Sequence, residues 1–149
     1  MAAVDEYVEA NRAAAERVRA LLDALSEDDL GTLMGEHWTV AIALAHLAYW
    51  DRRHAEVLQH NLDGLWAPEG EPDWMDDVQN DALLHEWRLL PPLQVPPLLL
   101  ASMERIDWLV AAVPDDVLAE LLRRDEAHLV RRSRHRHEHL DEIEGVLNR

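Results

Sequence analysis

Apolar residues recur three, four or seven positions apart through most of the chain. Val4, Val8, Ala15, Val18, Leu21, Leu22 and Leu25 form one such series and predict a helix from about Val4 to Leu25 with a single apolar stripe. The stretch SEDDLGTLMGEHW then breaks the period with two glycines and an acidic run. Thr39 stands where an N-cap is needed for a second helix over Val40 to Leu62, which Asp63-Gly64 ends. The following DGLWAPEGEPDW holds two glycines and two prolines and no period, which predicts a loop long enough for a crossover. Periodicity returns from about Trp74 to Leu90, is interrupted by PPLQVPP, and resumes from Leu98 to Val113. Proline removes a helical hydrogen bond and clashes with the preceding turn, so a kink or break is expected between those two pieces. Pro114-Asp115-Asp116 opens a short helix with acids at its positive end, and a last helix is expected from near Asp125 to Leu147. No alternating strand or hairpin signal is found. The pattern predicts an all-α chain of about four long helices, a four-helix bundle with a kinked or broken third helix.

At 149 residues the chain is long enough for one domain, spanning 1–149, that buries ~70% of its unfolded surface. Its formal charge of -16 opposes phosphate contact and argues against a nucleic-acid binder. The one basic cluster is Arg131, Arg132, Arg134 and Arg136, which suits a small anionic substrate better than a polynucleotide. No stretch approaches the ~20 apolar residues of a membrane span, and the opening MAAVDEYVEANR lacks a secretory pattern, so we expect a soluble, cytoplasmic protein. There is no cysteine, which removes disulfides, thiolate ligands and a protein-borne thiol nucleophile. Any thiol used in catalysis has to arrive with a substrate.

Candidate chemistry centres on RRSRHRHEHLDEIEGVL. Each helical residue adds ~100°, which puts His135 within ~40° of His139 while His137 points nearly the opposite way. Ile143, Val146 and Leu147 share the His139 side, so the pair faces the apolar interior. Two inward imidazoles four apart can converge on one ion. Nine histidines make such a pair common by chance, so a third ligand is required. His46 supplies it on the second helix, among Ile42, Tyr49, Trp50 and Val57, with His54 and His128 as substitutes. His37, His60, His85 and His137 are assigned to the surface. Arg53, about two turns from His46, and Arg132, similarly placed before His139, are either carboxylate-binding groups or solvated arginines. Asn80 and Asp81, read as opening a helix, either orient a ligand histidine or are polar surface.

These residues carry a resemblance. HWTVAIALAHLAYWDRR resembles the second-helix signature of the DinB/YfiT-like superfamily, with Trp38 and Thr39 opening the helix and His46-Leu47-Ala48 following. His135, Glu138, His139 and Leu140 are similar to that family's last helix, and the superfamily includes the metal-binding domain of mycothiol-dependent maleylpyruvate isomerases. The resemblance covers most of the chain. It implies an up-down-down-up bundle, a divalent metal held by His46, His135 and His139, and often a homodimer. It also implies an enzyme of the thiol-transferase or hydrolase kind. Three neutral imidazoles suit zinc or nickel with an open position, and the absence of cysteine suits a low-molecular-weight thiol cosubstrate activated by the metal. The alternative is a non-catalytic bundle that binds a small ligand or partner, with the metal structural or absent.

Overall fold

The computed structural model describes residues 2–149 and is almost entirely helical. α1 spans Asp5–Ala24, the single turn α2 Glu27–Leu30, α3 Val40–Leu62, α4 Trp74–Leu89, α5 Val95–Ala111, α6 Asp115–Arg123 and α7 Ser133–Leu147. No helix among the described residues is long and apolar enough to cross a membrane.

α3 is the central element. Its first nine residues, Val40 to Ala48, are all buried, as expected of a helix that is apolar all round and has neighbours on every side. Thr39 caps it, its Oγ1 accepting from the Ile42 N–H at 3.2 Å, and Gly64 follows its end with a φ of +84° that only glycine adopts without strain. α5 packs most extensively on α3, α1 packs on both α7 and α5, and α4 and α7 each lie against α3. Two apolar clusters result. One gathers the first half of α3 with Val18, Leu99, Met103, Leu140 and Ile143, and the other gathers its second half with Ile106, Val110, Leu121 and Val130.

The proline segment breaks the third helical run. Leu90 is extended before Pro91, a 3₁₀ turn covers Pro92–Gln94, and Pro96 and Pro97 fall in the first turn of α5, where their missing N–H groups cost nothing. Three expectations are corrected. The last helix starts at Ser133 and not near Asp125, because Asp125 turns left-handed at φ 59° and a 3₁₀ turn, Ala127–Leu129, fills the gap. Asn80 and Asp81 lie inside α4 and do not open it. A two-residue antiparallel ladder, Leu33–Met34 (β1) with Trp38–Thr39 (β2), leads into α3 although no strand signal is present.

A distant residue completes the start of α7. Arg132 at its N-cap position makes no capping bond, and Asn11 of α1 performs that task. Asn11 Oδ1 accepts from the backbone N–H of Arg132 and of Ser133, both at 2.9 Å, while its Nδ2 donates to the Val130 carbonyl at 2.8 Å. Replacing Asn11 by Ala leaves three backbone groups unpaired in a buried place, a cost of about 2–3 kcal/mol. The expected fall in melting temperature is about 5–10 °C, measured by circular dichroism.

Candidate metal centre

His46 reaches the site from the middle of α3, and His135 and His139 reach it from successive turns of α7. Nε2 of His135 lies 3.1 Å from Nε2 of His46 and 3.1 Å from Nε2 of His139. One ring nitrogen from each of the three falls within 4.8 Å of the others, the one such group of metal-binding side chains among the described residues. Nitrogens bound at about 2 Å to one tetrahedral ion stand ~3.3 Å apart, so the spacing fits a metal with little adjustment. Three histidines in this arrangement could bind a metal.

The rings are walled by aromatic side chains. Trp38 stacks along His139 at 6.4 Å between centroids, Trp87 meets His46 edge-on at 5.6 Å, and Trp50 lies 6.3 Å from His46. Beyond Trp38, a surface cleft of about 510 Å³ is lined by Met34, Gly35, Asp141, Glu142, Gly145 and Val146. This apolar wall removes water and disfavours the imidazolium form. Burial, then the charge of a protonated His139, pushes His46 down to about 3, against a smaller opposing effect of Asn80. Burial, then Arg132, pushes His135 down to about 2. Burial lowers His139 also, with Glu142 opposing. All three are neutral at pH 7 and thus have the protonation state that a metal requires.

Each ring has a neighbour on its outer nitrogen. His46 Nδ1 lies 3.1 Å from Asn80 Oδ1, which also accepts from Trp50 Nε1–H at 2.8 Å. Asn80 is therefore the residue of its pair that orients a histidine, whereas Asp81 is exposed. Arg132 donates to His135 Nδ1 at 3.0 Å. His139 Nδ1 is buried without a hydrogen-bond partner, the Glu142 carboxylate standing 3.4 Å away outside bonding geometry.

The remaining candidates disperse. His54 and His128 pair with each other, rings 5.3 Å apart, outside the three-nitrogen cluster, and His54 Nδ1 donates to the Trp50 carbonyl at 2.5 Å. His37, His60 and His85 are exposed, while His137 is half-buried against Arg17. Arg53 lies over the Trp50 ring at 5.4 Å, with Glu71 Oε2 3.6 Å away. Arg132 is turned inward. It is 3% exposed, with Nε donating to Asp51 at 2.8 Å and Nη1 to the His128 carbonyl at 3.1 Å. Asp51, fully buried, also accepts from Arg136 at 3.3 Å, and Arg136 in turn holds Asp107 at 2.8 Å. The wheel gave no sign of this network. An acid directly after a long apolar run, Asp51 within ALAHLAYWDRR, was the available signal.

The depressed histidines tie stability to pH. Their unfolded pKa is about 6.5, above the folded values, so the unfolded chain takes up protons first as pH falls. Stability is complete above about pH 6.5 and is lost from there down toward pH 3. For the metal-free protein His46 and His135 are each expected to remove about 2 kcal/mol between pH 6.5 and 5. Urea unfolding across that range measures the slope, and His46→Leu should make it shallower by about one proton.

No protein-family model, curated protein or solved structure matches this chain.

Proposed function

We propose that this protein is a divalent-metal-dependent enzyme with His46, His135 and His139 as its ligands, acting as a thiol S-transferase or a related hydrolase on a small molecule. The observation that carries this is the convergence of three neutral imidazoles, one buried and two half-buried, from two helices at spacings of 3.1 Å. Helical packing of α1, α3, α5 and α7 on one another supports a four-helix bundle, which we take as up-down-down-up and DinB-like by resemblance. Zinc or nickel, the ions suited to a nitrogen-only donor set, would keep at least one position open and ease deprotonation of a bound thiol or water.

The chain's own residues supply the rest. Trp38, Trp50 and Trp87 exclude water around the rings, and Asn80 holds the His46 ring with Nε2 inward. Arg53 is the group we assign to a carboxylate on the cosubstrate, a low-molecular-weight thiol of the mycothiol or bacillithiol type. Its guanidinium lies over Trp50 with Glu71 3.6 Å away, whereas Arg132 has its donors engaged within the protein. A cytoplasmic homodimer completes the proposal, with the exposed Trp74, Val78 and Leu89 of α4 as apolar surface open to a second copy.

One observation favours a second reading. The two Nε2 contacts are also acceptable hydrogen bonds, so the histidines can satisfy one another without an ion in a bundle that only binds a ligand or partner. Metal content separates the two. About one zinc or nickel per chain is expected in untagged protein, with loss in His46→Ala and His139→Ala, measured by mass spectrometry. No metal under saturating conditions would leave the non-catalytic reading. Given turnover of a thiol with an electrophile, Arg53→Met should raise KM for a carboxylate-bearing thiol about tenfold with kcat little changed, the mark of lost uniform binding.

A further inference from the structure

We infer that the three histidines are unequal ligands and that Arg132 is a positioning residue that makes His135 the weak one; this rests on taking the cluster as a metal centre. Donor and acceptor identities on the outer nitrogens carry the inference. Trp50 Nε1–H can only donate, so the oxygen of Asn80 that it meets is an acceptor. His46 Nδ1 faces that same oxygen at 3.1 Å, hence its ring hydrogen sits on Nδ1 and Nε2 is a free lone pair. His139 Nδ1 has no hydrogen-bond partner, so the tautomer of His139 is set at its Nε2, which faces Nε2 of His135 at 3.1 Å.

At His135 the polarity is reversed. A guanidinium has no acceptor, so Nδ1 of His135 must accept from Arg132 at 3.0 Å and the ring hydrogen sits on Nε2. Nε2 of His46 and Nε2 of His139 each stand 3.1 Å from that nitrogen, and its single hydrogen is shared between their lone pairs, so His139 too carries its own hydrogen on Nδ1. A hydrogen therefore lies where the third ligand lone pair is needed. His135 presents Nε2 as a neutral ligand only when its hydrogen moves to Nδ1, where it would oppose an Arg132 N–H. Arg132 cannot readily withdraw. Asp51 holds its Nε at 2.8 Å, the His128 carbonyl holds Nη1 at 3.1 Å, and Asp51 is itself fixed by Arg136. His46 and His139 are thus pre-set to bind, and His135 joins them at the expense of a buried hydrogen bond.

The test is zinc affinity by competition with a chromogenic chelator, at one fixed pH, on the full untagged chain. We expect His46→Ala and His139→Ala to weaken zinc about a hundredfold or more and His135→Ala to weaken it no more than about tenfold. The paired variant Asp51→Asn with Arg132→Gln removes both charges together and supplies an amide oxygen able to accept from Nδ1–H. It should bind zinc about tenfold more tightly than the unsubstituted chain, and His135→Ala in that background should cost as much as His46→Ala. Equal losses from the three single alanine variants, or weaker binding by the paired variant, would overturn the inference. Should the paired variant fail to fold, as judged by circular dichroism, the ranking of the three alanine variants decides alone. Absence of zinc binding by the unsubstituted chain overturns the metal centre and this inference with it.

Discussion

The buried ionic network around Asp51 is the constraint from which the site follows. A carboxylate fully buried in the middle of α3 costs several kcal/mol unless it is paired, and the two guanidiniums that pair it, Arg132 and Arg136, lie at the start of α7. Asp107 of α5 balances the second of them. These pairings admit essentially one rotation and one height of α7 against α3. With α7 so placed, His135 and His139 come level with His46, one turn before Asp51. Asn11 fixes the same end of α7 from α1, so three helices hold the helix that carries two of the three histidines.

Net stabilisation is not the main contribution of such a network. Buried ion pairs give back in desolvation much of what they gain by attraction, and a well-packed apolar layer could serve stability equally well. Its contribution here is register. An apolar interface between α3 and α7 tolerates sliding and rotation, whereas a carboxylate between two guanidiniums does not. The same rigidity shapes the chemistry. Arg132 fixes α7 and also touches His135, so the element that brings the three histidines together also sets the hydrogen-bond polarity of one of them. The imidazoles are kept neutral by the tryptophans and by the positive charge nearby, which is the condition a metal needs and also one that strains the protein in acid.

Much of this was legible in the chain because it is local. Helix α3 and its Thr39 cap follow from the apolar run and its flanking residues. The break between α4 and α5 follows from the chemistry of proline. The i, i+4 pair in α7 and the inward position of His46 follow from the helical period alone. The start of α7 was placed too early because Leu129 and Val130 continue the apolar pattern through a turn that a left-handed Asp125 in fact interrupts. The short β1–β2 ladder has no signal of its own, two residues being too few to show an alternation.

The sequence by itself determined the helices, their apolar faces and the three histidines, since each depends on neighbours within a few residues. Only the tertiary structure decided which polar groups meet. Asp51 and Arg132 are 81 residues apart, and Asp51 and Arg136 85. A helical wheel gives the direction of a side chain about its own axis and nothing of the neighbouring helix's rotation or height. For that reason the sequence left Arg132 as either a group for a ligand's carboxylate or a solvated arginine, while in the fold it is buried against a carboxylate of the protein itself.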